Sequence, residues 1–217
     1  MSYEISETAV VYPGTVIGEG CKILDYAVVG KQPTLSARST ASRDPLPPLE
    51  LGAGTIVSTG AVVFAGTRIG ERVIVGDQSC VRERCNVGDD VVVGRGSLVE
   101  NDTTVGPQTK IQAHAYITAY STLEDNVFIA PCVATTNDNY MGRTEKRHAL
   151  VKGPTIRRGA RVGGAAVLLP GIVIGEEAFV GAGAVVIRDV PAGVVVVGNP
   201  ARPIREVSAE ELLENQA

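Results

Sequence analysis

Aliphatic residues recur at every sixth position through most of the chain, and that period leaves few folds open. Steps of six from Ile5 meet Val11, Ile17, Ile23 and Val29. From Leu51 they pass Val57, Val63, Ile69 and Val75 without a break to Ile129, and from Ile156 they pass Val162, Leu168, Ile174 and Val180 to Val186. Four residues after each lies a column of small or β-branched side chains, Thr55, Ala61, Thr67, Val73, Ser79 and Cys85 among them. Gly often follows the aliphatic residue directly, as at Gly18, Gly52, Gly70, Gly88, Gly106 and Gly175. An α-helix needs apolar spacing near 3.6, and a meander of hairpins does not keep a six-residue beat for so long. Each hexad therefore reads as a short strand and a corner, with one aliphatic and one small side chain turned inward. Three hexads close a triangular coil that pairs with the next at ~4.8 Å, so the spacing predicts an all-β parallel β-helix of about eight coils, ~40 Å long. Gly after the aliphatic residue implies unusual backbone angles or a close approach of neighbouring chain.

Composition agrees with a core built of stacked small layers: the 217 residues include no Trp, 3 Phe and 6 Tyr. Lys plus Arg is 20 against 24 Asp plus Glu, a net charge of -4, so there is no overall basic surface of the kind that grips nucleic acid by counterion release. No apolar run reaches the ~18 residues of a membrane span. The acidic start, Met1 to Glu7, lacks the order of a signal peptide, and a cytoplasmic location is expected. The four cysteines form no C-x-x-C pair, which argues against a zinc ribbon or redox motif. Cys21 and Cys85 fall in the inward small column, whereas Cys80 and Cys132 lie outside it.

The ladder is interrupted twice. Residues 31–50 carry Pro33, Pro45, Pro47 and Pro48, and proline lacks the N–H that a central strand needs. Residues 134–155 form a second, polar excursion; loops this long in a compact domain are commonly functional. The repeat domain is expected over residues 1–207. Ser208 followed by Glu211 has the pattern of a capping box, which predicts a short helix over 208–217.

The ordered hexads resemble the hexapeptide-repeat acyltransferases, most closely in Gly163-Gly164-Ala165-Ala166-Val167-Leu168-Leu169-Pro170-Gly171 and in the tail Gly198-Asn199-Pro200-Ala201-Arg202-Pro203. The resemblance implies a left-handed helix, a homotrimer with sites between prisms, and acetyl-coenzyme A as cosubstrate without a metal. A β-helical carbonic anhydrase needs three zinc-binding His, and His114 and His148 are the only two here. The sugar-nucleotide pyrophosphorylases carry a large nucleotide-binding domain ahead of their hexads, which here begin at Ile5. Thr122 to Pro131 leading into Thr136-Asn137-Asp138 is similar to the branch that N-acetylates amino sugars carried on nucleotides.

Acyl transfer from a thioester needs a slot that aligns the donor, a base for the acceptor's proton and a donor for the oxyanion. His114, with an ordinary pKa near neutrality, suits the base and stands at an outward corner position. Asn137 and Asp138 open the second loop and complete the catalytic candidates. The family lays coenzyme A along a groove near the last coils, and the matching positions are Gly164, Ala182, Ile187, Arg188 and Arg202. Small side chains there admit the pantetheine arm, and guanidinium suits phosphate. Asn101, Arg143 and Arg157 are candidate contacts for a nucleotide-linked amino sugar. The alternatives are O-acetylation of a sugar or small hydroxyl acceptor, and a non-catalytic scaffold that binds protein through flat faces.

Overall fold

The computed structural model describes residues 2–37, 39 and 42–216; residues 38, 40 and 41 of the first excursion and Ala217 of the expected C-terminal helix lie outside the described residues. Nearly every hexad forms a two-residue strand that pairs in parallel with the strand 18 residues on, as Ile74 does with Ile56 on one side and Val92 on the other. Three flat faces result. Face A begins at Glu4–Ile5, face B at Val10–Val11 and face C at Val16–Ile17, and their strands stack eleven, nine and eight deep. The prism is thus longer than the eight coils expected. Thr135 takes an aliphatic position at the mouth of the second excursion, and Val194–Val197 adds a further rung to face A.

The aliphatic column fills the axis: Val57, Val75, Val93, Ile111, Ile129, Val162 and Val180 are fully buried. No aromatic ring lies in the core among the described residues. The small column does more than save space. Thr55 Oγ1 donates to the Gly70 carbonyl at 2.8 Å and accepts the Val73 N–H at 3.2 Å. Ser97 and Thr109 repeat this stitch two to three coils on. A buried hydroxyl without partners is costly, and here each one ties its coil to the next. Cys21 and Cys85 are buried in the same column, and their thiols point to the carbonyls of Gly52 and Glu100.

Most glycines after the aliphatic residue serve close approach; Gly30, with φ of 81°, is there for its backbone angle. A Cβ on Gly70 would lie 2.4–2.8 Å from Asp89 and the Gly88 carbonyl carbon. The left-handed residue comes two positions later, where Arg72, Gln78, Asp90 and His114 take φ between 53° and 59°.

Both excursions leave from the same edge, between faces B and C. The first runs from Val28–Lys31 to Glu50–Leu51. Its neck is pinned by Gln32, whose amide donates to the Leu46 carbonyl and accepts the Leu46 N–H. The second runs from Ala134–Thr135 to Thr155–Ile156 and holds one helical turn, Arg147–Leu150.

The C-terminal segment departs from expectation. Arg202–Glu206 pairs antiparallel with Val194–Val197, and two 3-10 turns follow, Ala209–Glu211 and Leu213–Asn215, in place of one α-helix. The capping box does not form because the Glu211 carboxylate is drawn to the prism. It takes Arg161 at 2.9 Å, Arg205 at 3.4 Å and the Ser208 hydroxyl at 2.9 Å. Among the described residues no helix is long and apolar enough to cross a membrane.

Candidate active site

His114 stands on the edge between faces A and B, in the corner Gln112-Ala113-His114-Ala115. The inward Ala115, 2% exposed, anchors the corner, and the His114 N–H donates to the Arg95 carbonyl at 3.0 Å. The side chain is exposed. Its ring lies over Gly96, one coil earlier: a Cβ on that glycine would come within 2.6 Å of Nδ1 and 2.7 Å of Cε1.

Towards the C-terminus the same edge presents only short side chains. Cys132 N–H donates to Ala113, Ala165 to Pro131 and Gly183 to Gly164, at 2.8–3.1 Å. Gly164 and Ala182, two of the donor-binding candidates, lie on this track two and three coils beyond Ala113, and three coil spacings amount to ~14 Å. A Cβ on Gly183 would meet nothing within 4 Å, so the far end is open.

The other donor candidates cluster at the C-terminal end of the prism. Ile187, Arg188 and Arg202 line one cavity of about 200 Å³. Neither arginine has an ion pair among the described residues; Arg202 Nη1 donates only to the neighbouring Ala201 carbonyl. The two guanidinium groups share this cavity with Asp189 and with apolar walls from Val186, Val190 and Pro191, and guanidinium suits phosphate.

Asn137 and Asp138 are on the edge between B and C, so one chain does not bring them to His114. Asn137 Nδ2 donates to the Ala119 carbonyl at 3.3 Å. Asp138 is engaged by its own loop, accepting the N–H groups of Tyr140 at 2.8 Å and Gly142 at 2.9 Å with Arg147 at 3.4 Å. Those N–H groups hold its carboxyl below the ordinary range. Asn101 is on this edge too, donating to Asp102, which Arg84 clasps with two hydrogen bonds of 2.8 Å. Arg143 belongs to the second loop. Arg157 stands apart, on the edge between C and A, paired with Glu124 at 2.6 Å. His148 sits in the loop's helical turn, 3.8 Å from Glu145.

Two features escaped the sequence reading. One is Gly96, which seats the imidazole; writing the hexads out 18 to a line would have placed it beside His114. The other is the outer surface of face B, where Val10, Val28, Val62, Leu98, Tyr116 and Val185 form an uncharged column, with Lys31 and Arg82 beside it over the Phe64 ring. Faces A and C present Lys22, Lys110 and Arg161, and Glu50 and Arg68, at equivalent positions. A larger cavity, about 570 Å³, lies on face A beneath the C-terminal turns, and no candidate residue lines it. Among the described residues no three His, Cys, Asp or Glu side chains gather as a metal site.

No protein-family model matches the chain. Curated proteins do. The chain is 37% identical over 90 residues to a serine acetyltransferase of Buchnera aphidicola, covering 42% of this chain and 31% of that protein. Galactoside O-acetyltransferase of Escherichia coli is 37% identical over 90 residues, 40% of this chain and 44% of the relative. A 2,3,4,5-tetrahydropyridine-2,6-dicarboxylate N-acetyltransferase of Clostridium perfringens is 54% identical over 46 residues, 21% and 20% of the two chains. The chain thus spans less than half the length of these relatives. Among solved structures, the UDP-N-acetylglucosamine acyltransferase of Campylobacter jejuni superposes with a TM-score of 0.75 over 94% of this chain and 75% of that one, at 18% identity. In its hexad ladder, its left-handed parallel β-helix and these matched stretches, the chain is similar to the hexapeptide-repeat acyltransferases.

Proposed function

We propose that this protein transfers an acetyl group from acetyl-coenzyme A to the amine of a nucleotide-linked amino sugar, working as a homotrimer with His114 as general base. The observation that carries the reading is the edge between faces A and B. A base stands at one end of a track of short side chains, and the prism end towards which the track runs holds a cavity with two unpaired arginines. The track is narrow and open enough for a pantetheine arm, and Arg188 and Arg202 suit its phosphates.

The chemistry then needs no acyl-enzyme. The acceptor nitrogen attacks the thioester carbonyl carbon, His114 takes the proton that the nitrogen sheds, the carbon–sulfur bond breaks, and the proton passes to the departing thiolate. Face B, with its central column of uncharged side chains, supports packing against a sister prism. It is flanked by the His114 edge on one side and by the edge of Asn137, Asp138 and Arg143 on the other. Packing across face B sets the first edge of one protomer near the second loop of its neighbour, which is the arrangement that joins the separated candidates.

O-acetylation is the second reading, favoured by the matches to serine and galactoside O-acetyltransferases. An acceptor panel with mass spectrometry separates the two. The central test is thiol release from acetyl-coenzyme A by His114→Ala. A fall of roughly 10²–10⁴-fold in kcat is expected, with coenzyme A affinity by calorimetry unchanged. An unaltered rate removes His114 from the mechanism, and absent coenzyme A binding removes the transferase reading in favour of a scaffold.

A further inference from the structure

We propose that the recess on the N-terminal side of His114 is the acceptor subsite, and that Arg95 there holds an anionic group of the acceptor. The proposal rests on the acetyltransferase reading with His114 as base.

The edge between faces A and B changes character at His114. Beyond it lie Pro131, Gly164 and Ala182 with their equally short neighbours. Before it, Thr59, Asp77, Gln78 and Arg95 surround a recess of about 320 Å³ that Gly96 and His114 close. The wall is rigid, because each corner is tied to the one before: Gln78 N–H to Thr59, Gly96 N–H to Asp77 and His114 N–H to Arg95, at 2.8–3.0 Å. Asp77 Oδ1 accepts the Thr59 N–H at 3.1 Å.

Arg95 is not committed. It is exposed and has no ion pair or side-chain hydrogen bond among the described residues. Arg72, Arg84 and Arg158, on the other edges, each reach a carboxylate one coil away. A guanidinium left open beside a base is placed for a ligand's charge, and its planar fork matches phosphate and carboxylate alike. The missing side chain of Gly96 lets the His114 ring lean into this recess. An acceptor anchored on Arg95 therefore presents its nucleophile between the base and the head of the donor track.

The chain has two histidines, so each ring gives its own signal in a proton–carbon NMR spectrum. Pyrophosphate and, separately, succinate are titrated into the full-length protein. Saturable movement of the His114 signal with His148 still, weakened roughly tenfold or more by Arg95→Gln, supports the subsite. The probe that acts names the group, phosphate or carboxylate. A His114 signal moved by neither probe, or moved equally in Arg95→Gln, overturns it.

Turnover gives the second arm, pairing glucosamine 1-phosphate with glucosamine and serine with ethanolamine. The anionic member of one pair is preferred, and Arg95→Gln erases the preference through KM. Acetyl transfer that needs His114 but ignores Arg95 sinks the subsite alone. No transfer to any acceptor, with no coenzyme A binding, sinks the transferase reading and the subsite with it.

Discussion

Replacing Gly96 by Ala separates the seat of the proposed base from the stability of the fold. The new Cβ would stand 2.6 Å from Nδ1 and 2.7 Å from Cε1 of His114, about 1 Å inside an ordinary contact of ~3.5–4.0 Å. The three atoms nearest the new Cβ all belong to the imidazole, the end of a side chain, so the ring is what gives way. The backbone itself tolerates the change: Gln78 and His114 occupy the same left-handed corner with φ of 57° and 59°, so the strain is ~1 kcal/mol. For a domain of this size that lowers Tm by roughly 2–4 °C. Moving a catalytic group by about 1 Å costs on the order of 10²-fold in rate. The variant should thus lose roughly 99% of kcat while keeping its circular dichroism, its coenzyme A affinity and most of its Tm. Gly60→Ala is the control. It has the same left-handed conformation, with φ of 68°, but its Cβ would meet only Gln78 Cγ at 3.7 Å, so it should lose the same stability and no kcat. Full activity in Gly96→Ala, measured by thiol release, would refute both the seating argument and the role given to the ring.

Of the four cysteines only Cys132 is exposed. It should be the first alkylated by iodoacetamide, and coenzyme A should protect it; labelling indifferent to coenzyme A would move the donor off this edge. Burial pushes the Cys80 thiol up to about 11 and that of Cys85 to about 12, so these two should lag at neutral pH. Ile117→Ala, at a fully buried position of the column, should cost about 2–5 kcal/mol in urea unfolding; a smaller loss would mean the coil collapses around the gap. The Asp138 carboxyl is depressed by the N–H groups of Gly142 and Tyr140, with Arg147 beside it. Its hold on the loop is complete above the ordinary aspartate value of ~3.9 and fades as pH falls through the lower folded value. The Tyr140 and Gly142 amide signals should move together below that ordinary value; movement at or above it would contradict the cap.

The prism was legible because its cause is repeated: one aliphatic and one small residue per hexad, all the way from Leu51 to Ile129. Its interruptions were legible from the prolines of residues 31–50 and the polar run after Val133. The hydroxyl stitches explain a preference that read only as small size. Ser208 and Glu211 misled because a capping box is a local pattern, and the Glu211 carboxylate is claimed by Arg161, 50 residues away in sequence. The candidate site was harder for a geometric reason. Six residues carry the chain from one edge to the next, so Asn137, close to His114 in sequence, is on another side, while Ala182 shares its edge. Arg157 fell to the third edge by the same arithmetic. The uncharged column on face B was hidden because its members are 18 residues or more apart.

Because every corner hangs from its own rung of backbone, positions 59, 77, 78 and 95 can be rewritten one at a time without moving rungs on the far side of the imidazole. Such a molecule is organised like a keyboard: retuning one group of keys for a new recipient leaves the proposed donor track untouched. Libraries confined to those four codons are the natural place to look for altered recipient choice with thioester affinity preserved.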